Sequence, residues 1–215
     1  MPKRFWVGVK AFILCQINIY QMDLIQLLAK TSDFGEERKV LLEEMLLCFS
    51  KTIEEKSSVK LNFICTHNSR RSQLAEFLTD LLSDHFGLPI EAYSGGTEHT
   101  AFFPSMLKAI QAYGIDLSCI EHGTNPHYQW TSKREKVYFS KKYDHSYNPS
   151  GGFIAIMVCD SADSNCPFVV GADRRFALKY EDPKAFDNTI NEQKAYADKV
   201  LEIGSELYYI FSRLA

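Results

Sequence analysis

The stretch that decides the fold lies at residues 59–72 and reads VKLNFICTHNSRRS. Its first six residues are mostly apolar and predict a buried β-strand. Residues 71–86 carry apolar side chains at helical spacing and predict an amphipathic helix. The residues from Cys65 to Arg70 must then form a loop that joins a strand to the N-terminus of a helix. Backbone N–H groups in such a loop point inwards and, together with the helix dipole, favour a bound anion.

The rest of the chain continues this alternation of strands and helices. Further strands are predicted at 90–93, 137–139, 153–158 and 175–179, and further helices at 106–113 and 190–212. Such an alternation is typical of a parallel sheet that is covered by helices on both faces. Residues 118–136 are polar, and we expect them to be irregular. The sequence therefore predicts an α/β fold.

The first 58 residues lie outside this alternation, and we assign them to an N-terminal helical extension of a domain at residues 59–215. Residues 22–56 carry apolar side chains on one face. They predict an amphipathic helix that packs on the domain, with a partner surface as the alternative. Residues 1–21 begin with basic residues before an apolar stretch, as a secretory signal does, but no cleavage site follows. That stretch is shorter than the roughly 20 apolar residues that span a bilayer, so we expect no membrane anchor.

The amino-acid composition argues against a disordered chain, a nucleic-acid-binding protein and a disulfide-built scaffold. The 215 residues are 46% hydrophobic and 13% aromatic, which is ample for a packed core and argues against disorder. The formal net charge of -3 gives no basic excess for a polyanion, so we expect no nucleic-acid partner. Six cysteines are too few for a disulfide-built scaffold, which indicates a reducing, cytoplasmic setting.

The loop carries the residues of a nucleophilic oxyanion site. Cys65 stands at its mouth, where the N–H groups and the helix dipole favour a thiolate near neutral pH. Arg71 follows after five intervening residues, so the loop bends once around a tetrahedral anion to which Arg71 donates two parallel hydrogen bonds. Ser72 would donate to the sulfur and help it leave. The residues predicted to surround the anion are Thr66, His67, Asn68, Ser69, Arg70, Arg71 and Ser72. The alternative is a buried cysteine at a strand end beside two solvated arginines.

The residues around this loop resemble the low-molecular-weight tyrosine phosphatase superfamily, and within it the thioredoxin-coupled arsenate reductases. The resemblance covers about residues 60–213 and includes a second segment, YSGGTE, at residues 93–98. It implies a flavodoxin-like, four-stranded parallel sheet with helices on both faces. Two loop positions depart from the family pattern, since His67 stands where a glycine is usual and Arg70 where a small residue or a cysteine is common. His67 would then need the dihedrals of a glycine, which histidine tolerates better than most residues.

A pair of cysteines, Cys159 and Cys166, directly follows the most apolar predicted strand. Their separation exceeds the roughly two to four intervening residues that are usual at zinc sites. Two unrelated buried thiols are one alternative, and a redox pair is the other. If the segment is helical, its ends lie too far apart for a disulfide, so it would have to unwind to form one. The arsenate reductases have a cysteine pair at this spacing, and the resemblance assigns it a disulfide relay that thioredoxin recycles.

A candidate acid, Asp182, lies in the sequence Glu181-Asp182-Pro183 after a predicted strand. A carboxyl group on such a loop can protonate a leaving oxygen, whereas Asp-Pro is also a common turn. The resemblance assigns Asp182 the role of general acid. Tyrosine phosphatases of this fold usually continue with two aromatic residues, where this chain has Lys184-Ala185-Phe186. That departure disfavours a phosphotyrosine substrate without excluding it.

Three polar residues, Asn68, Glu76 and Ser94, match positions that hold a potassium ion in some of the reductases. The resemblance places Lys141 where a fourth ligand, an aspartate, would stand, so its ammonium group could occupy the cation site itself. The alternative is a loop lysine that faces water. We expect no organic cofactor and no redox metal.

These observations lead to one preferred function and two alternatives. We expect reduction of arsenate to arsenite, with Cys65 as nucleophile and Cys159 and Cys166 as the relay. The first alternative is hydrolysis of phosphotyrosine or a small phosphate ester through a phosphorylated Cys65, because phosphate and arsenate share shape and charge. The second is a non-catalytic module that senses phosphate.

Overall fold

The computed structural model describes residues 24–31, 33–165 and 168–215. Its strands, in chain order, are β1 (Val59–Cys65), β2 (Ile90–Gly96), β3 (Leu117–Glu121), β4 (His127–Trp130), β5 (Lys133–Tyr138), β6 (Phe153–Met157) and β7 (Ala172–Ala177). Its helices are α1 (Glu36–Lys56), α2 (Arg71–Phe86), α3 (Pro104–Gln111), α4 (Asp160–Asn165) and α5 (Glu192–Leu214), with a 3₁₀ turn at Pro183–Phe186. Residues 24–30 are also helical.

The central sheet consists of four parallel strands in the order β2-β1-β6-β7 and is flanked by helices. Every residue of β6 is buried, which is why that strand reads as a continuous apolar run. The predicted four-stranded α/β fold is confirmed. Because all four strands run the same way, the segments that follow β1, β6 and β7 meet at one edge of the sheet. That edge brings together Cys65, Cys159 and Asp182.

The N-terminal region differs from the single helix predicted at 22–56. Residues 31 and 33–35 are not helical and separate residues 24–30 from α1. Asp33 and Gly35 in this break both have low helix propensity. The predicted packing of the extension on the domain is confirmed, because α1 packs on α5 and on β1. The side chains of α1 that face this core are Leu42, Met45 and Phe49.

Residues 117–138 form a small antiparallel sheet in the order β3-β4-β5. The expectation that residues 118–136 are irregular is wrong, and the strand expected at 137–139 is the end of β5, outside the parallel sheet. Two aromatic side chains anchor this sheet, since Trp130 and Tyr138 each pack edge-on against Phe77 of α2. The other side chains of the small sheet are largely polar, and few of them are buried, which is why its sequence resembles a loop.

Two expectations concern residues outside the described ranges. Residues 1–21, with their basic start and apolar stretch, lie there, and so does Cys166. Among the helices that are described, none is long and apolar enough to cross a membrane.

Candidate active site

The candidate nucleophile stands where β1 ends and the loop to α2 begins. Cys65 is 4% exposed. Its sulfur accepts a hydrogen bond from the backbone N–H of Asn68 at 3.2 Å, and Ser72 Oγ lies 3.0 Å away. Ser72 Oγ in turn accepts from Asn68 Nδ2 at 2.9 Å, which leaves the hydroxyl proton of Ser72 directed at the sulfur. These donors favour a negatively charged sulfur.

The loop backbone turns at Asn68, not at His67. Asn68 has a φ of 46°, in the left-handed region that asparagine tolerates, whereas His67 is not among the described residues with positive φ. The expectation that His67 takes on glycine dihedrals is therefore wrong. The imidazole of His67 is half exposed and lies 3.7 Å from the carboxylate of Glu98.

The second family segment supports the loop from beneath. Thr97 N donates to the carbonyl of Cys65 at 3.1 Å, and Glu98 N donates to that of Thr66 at 2.8 Å. Gly96 lies so close to the loop that an added Cβ would come within 2.8 Å of the backbone N of Asn68. Any larger residue at Gly96 would displace the loop, which gives a physical reason for the glycine.

The candidate arginine and the candidate acid contact each other directly. Arg71 Nη2 lies 2.6 Å from Asp182 Oδ2, and Arg71 Nη1 donates to the carbonyl oxygen of Tyr180 at 2.8 Å. The Nε of Arg71 is buried without a hydrogen-bond partner. A buried donor of this kind is costly to leave unpaired, so it is available to an anion in the loop. The side chain of Asp182 is 36% exposed, so it lies between Arg71 and solvent.

Tyr180 connects this arginine to the N-terminal extension. The hydroxyl of Tyr180 donates to Glu206 Oε2 at 2.6 Å, and burial beside Glu206 raises the pKa of Tyr180 well above its usual value. Arg38 of α1 binds the same carboxylate with both Nε (2.6 Å) and Nη2 (2.9 Å). A series of contacts therefore runs from Arg38 through Glu206 and Tyr180 to Arg71.

Cys159 lies beside the loop, because β6 is the neighbour of β1 in the sheet. The backbone N–H of Val158 donates to the carbonyl of Ile64 at 2.9 Å. Cys159 Sγ lies 3.6 Å from Thr66 Oγ1 and accepts from the N–H of Ala162 at 3.3 Å. Cys159 is buried and is a free thiol. The residues that follow it, Asp160–Asn165, form α4, which is the segment that we expect to unwind if the two cysteines of the pair form a bond.

The three residues predicted for a cation site come together, but two lysines are already there. Asn68 Nδ2 donates to Ser94 Oγ at 2.8 Å, and Ser94 Oγ donates to Glu76 Oε2 at 2.5 Å. Lys141 Nζ lies 3.6 Å from Glu76 Oε2, and Lys136 Nζ lies 3.2 Å from Oε1. Both oxygens of Glu76 thus face an ammonium group, and these residues do not fit a further cation. The alternative that Lys141 faces water is wrong, because its side chain is 1% exposed.

Charge and burial compete in this cluster. Burial alone would raise the pKa of Glu76, but the ammonium groups of Lys141 and Lys136 hold it below its usual value. Burial lowers the pKa of Lys141 in spite of Glu76. Lys136 was not anticipated from the sequence, since it lies in the segment expected to be irregular. Among the residues that the structure describes, no group of three or more His, Cys, Asp or Glu side chains is arranged to hold a metal.

Two other predicted anion-binding residues use their side chains elsewhere. Ser69 Oγ donates to the carbonyl of Ala101 at 2.6 Å. Arg70 Nε donates to Tyr196 Oη and its Nη2 to Asp187 Oδ2, each at 2.6 Å. At Ser69 and Arg70, only the backbone N–H groups are therefore left to bind an anion in the loop.

A cysteine and an arginine on one loop at the carboxyl edge of a four-stranded parallel sheet, with an aspartate against the arginine, define the class of cysteine-based oxyanion enzymes. The chain matches the family described as low molecular weight phosphotyrosine protein phosphatase over residues 60–128. It is 30% identical over 122 residues to arsenate reductase 2 of Staphylococcus haemolyticus, an alignment that covers 56% of this chain and 76% of that relative. It is 28% identical over 152 residues to the arsenate reductase of Bacillus licheniformis, which covers 70% of this chain and 94% of the relative. The chain therefore belongs to the low-molecular-weight phosphotyrosine protein phosphatase family, and its relatives include arsenate reductases.

Solved structures agree with this assignment at the level of the fold. A low molecular weight protein tyrosine phosphatase from T. tengcongensis has a TM-score of 0.51 at 19% identity, covering 73% of this chain and 99% of that chain. A low molecular weight phosphotyrosine phosphatase from Vibrio cholerae O395 has a TM-score of 0.50 at 17% identity, covering 73% and 97%. At such identities the likeness concerns the fold alone.

Proposed function

We propose that this protein reduces arsenate to arsenite. The observation that carries the proposal is the position of Cys159, a second buried free thiol that lies against Thr66 beside the candidate nucleophile. Hydrolysis of a phosphate ester needs one thiol, whereas reduction of arsenic(V) needs two electrons, which two thiols supply as they become a disulfide. The relatives named arsenate reductase support the same choice.

In the first step, the loop N–H groups and Arg71 bind arsenate next to Cys65. The thiolate of Cys65 attacks arsenic, so an As–S bond forms while an As–O bond breaks. Asp182, which lies beside Arg71 and must carry a proton for this step, gives that proton to the departing hydroxyl, which leaves as water. Ser72 and the N–H of Asn68 stabilise the sulfur before the attack.

In the second step, Cys159 attacks the sulfur of Cys65. A Cys65–Cys159 disulfide forms, the As–S bond breaks, and its electron pair stays on arsenic, which leaves as arsenite. Cys166 then attacks Cys159 and frees Cys65, with α4 unwound. Thioredoxin reduces the resulting Cys159–Cys166 disulfide. This exchange needs a reducing compartment, so we place the protein in the cytoplasm.

The second candidate function is a phosphatase for phosphotyrosine or a small phosphate ester. It is favoured by the contact between Arg71 and Asp182, because these two residues and Cys65 are sufficient for that chemistry. A non-catalytic phosphate sensor is disfavoured for the same reason, since it would have no need of a nucleophile and an acid at one anion site.

One pair of assays separates the candidates. The first measures arsenate-dependent oxidation of NADPH through thioredoxin reductase and thioredoxin, and the second measures hydrolysis of an aryl phosphate. The proposal expects turnover in the first assay that is lost in Cys159→Ser and kept in Cys48→Ser, which removes a thiol of α1. Aryl phosphate hydrolysis without any arsenate-dependent turnover would favour the phosphatase.

A further inference from the structure

Two neighbouring arginines hold opposite ends of one short turn. The acid turn, residues 182–187, begins at Asp182, continues through the 3₁₀ turn and ends at Asp187. Arg71 contacts Asp182 and Arg70 contacts Asp187, each with an N–O distance of 2.6 Å. The loop that carries the nucleophile is thus tied by charge to both ends of the segment that carries the acid.

The contact at Arg70 is well enclosed. The side chain of Arg70 is 12% exposed, and its Cζ lies 3.7 Å from the ring centroid of Phe103. The rings of Phe103 and Tyr196 are stacked with centroids 5.7 Å apart. Tyr196 Oη accepts from Arg70 and donates to Asp187 Oδ1 at 2.7 Å, which closes a triangle of three side chains. We call Arg70, Tyr196 and Asp187 the Arg70 clamp.

The two arginines differ in what substrate binding demands of them. Arg71 has a free Nε for an oxyanion in the loop, but its Nη groups already bind Asp182 and the carbonyl of Tyr180. A second hydrogen bond from Arg71 to the anion therefore competes with these contacts. Arg70 uses Nε and Nη2 on Tyr196 and Asp187, so the binding of an anion in the loop does not compete for these groups. The clamp is then the ionic tie that remains between the nucleophile loop and the acid turn.

We propose that Arg70 is a positioning residue, which acts through Asp187 and Tyr196 to keep the acid turn docked while Arg71 binds the oxyanion. This inference rests on the proposed function only in that Asp182 is taken as the general acid; the contacts of Arg70 do not depend on it. It explains why a long cationic side chain stands at a loop position where a small residue would suffice to close the loop. It also predicts that loss of Arg70 acts on proton transfer more than on anion binding.

Matched variants isolate the clamp. Arg70→Met removes the charge with little loss of length, Arg70→Lys retains the charge, and Asp187→Asn removes the partner carboxylate. Lys184→Met is the control, because it removes an exposed cation from the acid turn itself. Thermal unfolding of each variant shows that it is folded before it is assayed.

The first measurement compares hydrolysis of phenyl phosphate, a poor leaving group, with that of 4-nitrophenyl phosphate, a good one. General acid catalysis matters most for the poor leaving group, so Arg70→Met should lose roughly tenfold or more in kcat/KM on phenyl phosphate, and at most the 10²–10⁴-fold that a general acid supplies. The loss on 4-nitrophenyl phosphate should be clearly smaller, and inhibition by phosphate should stay close to wild type. Arg70→Lys should recover part of the loss. In an Asp182→Asn background, Arg70→Met should cause no further loss, because the acid is already gone.

The second measurement is amide hydrogen exchange over residues 182–188 in protein saturated with inorganic phosphate. Exchange should be faster in Arg70→Met and Asp187→Asn than in wild type and in Lys184→Met. Unchanged exchange overturns the clamp, and weaker phosphate binding with equal losses on both esters makes Arg70 an anion ligand instead. If the wild type acts on neither arsenate nor the esters, the proposed function fails, while the exchange data still decide the clamp.

Discussion

The groups around the sulfur of Cys65 set its chemistry at the scale of single residues. The hydroxyl of Ser72 is oriented because Asn68 already occupies its oxygen as a donor. The backbone N–H of the same asparagine donates to the sulfur, and its Oδ1 accepts from the backbone N–H of Lys141 at 2.8 Å. One residue therefore links the nucleophile to the buried cluster behind the loop.

Cys65 should be the fastest thiol in the chain to react with iodoacetamide near pH 7, because the loop donors stabilise its thiolate. Phosphate or arsenate should protect it by occupying the loop. Peptide mass spectrometry after brief labelling measures this, with Cys119 as the internal reference. Cys65→Ser should lose both candidate activities, while Cys119→Ser keeps them. Equal labelling of all cysteines would contradict the assignment.

Asp182→Asn should lower turnover by about 10²–10⁴-fold, the usual contribution of a general acid. Inhibition by phosphate should be unchanged or tighter, because Arg71 is no longer held by a carboxylate. Steady-state kinetics with phosphate as inhibitor measure both effects. Glu181→Gln is the matched control, since it neutralises the exposed carboxylate next door. Full turnover in Asp182→Asn would show that Asp182 only forms the turn and is not the general acid.

Local sequence was enough to predict Cys65 and Arg71 at a junction of strand, loop and helix, whereas the roles of Asp182 and Cys159 were predicted only through the family resemblance. It did not reveal Lys136 or the partners of Arg70. Lys136 meets Glu76 across 60 positions of sequence and Arg70 meets Asp187 across 117, so no short-range pattern records these contacts. Long-range ion pairs of this kind become visible only when the packing of the elements is known.

At the scale of elements, α4 is the part of the fold that the proposed relay must rearrange. It has only six residues, and so little intrinsic stability. Lys179 of the segment after β7 lies 2.8 Å from Asp160, which holds the first turn from outside. Arg175 binds both the carbonyl and the carboxylate of Asp163, and Ala162 is buried, so unwinding α4 must break these contacts as well as the exposed one at Asp160.

Cys166→Ser should stop multiple turnover with arsenate but allow one turnover, which leaves a Cys65–Cys159 disulfide in place. The reason is the order of attack, since Cys166 acts only after Cys159 is oxidised. Aryl phosphate hydrolysis by the same variant should be close to wild type. Non-reducing peptide mapping after arsenate treatment identifies the bond, and arsenite should amount to about one equivalent per protein. Continued turnover in Cys166→Ser, or no disulfide in the wild type, would contradict the relay.

The small antiparallel sheet is the element that the sequence pattern did not predict. Its strands are short and mostly polar, and their pairing depends on Trp130 and Tyr138 reaching Phe77 on another element. Tertiary contacts of a few aromatic residues outweighed a local composition typical of loops. By contrast, β1 and β6 were predictable because burial on both faces demands continuous apolar sequence.

At the scale of the whole molecule, the buried ion cluster joins the loop side of α2 to the small sheet. Glu76 and Asp80 of α2 face Lys136 and Lys141, and Tyr138 Oη donates to Asp80 Oδ2 at 2.9 Å. Because the pKa of Glu76 is lowered, its contribution to stability is complete above its unfolded value, about 4.3, and is lost as pH falls through the lower folded value.

Glu76→Gln should destabilise the protein by about 3–5 kcal/mol at pH 7, because it leaves the buried ammonium group of Lys141 without its carboxylate partner. The deficit should shrink as pH rises towards the usual lysine range, since Lys141, whose pKa burial already lowers, can then shed its proton. Urea unfolding at several pH values measures this. Asp84→Asn is the control, as it removes an exposed partner of Lys133 and should change little. A pH-independent deficit would contradict the role given to Lys141.

The ion pair between Arg38 and Glu206 determines how far the N-terminus of the protein can be truncated. Expression from residue 60, where the family match begins, would retain every candidate catalytic side chain that follows it. It would also remove Arg38, the ion-pair partner of Glu206, and would expose the surface of α5 on which α1 packs. The hydroxyl of Tyr180 would then donate to a buried Glu206 carboxylate that has lost its counter-charge, while the carbonyl of Tyr180 still binds Arg71. The family boundary is thus a poor guide to the shortest active polypeptide, and a truncation series should keep residues 24–30 as well as α1, because Leu24 and Leu28 are buried and Leu28 lies against Gly204 of α5.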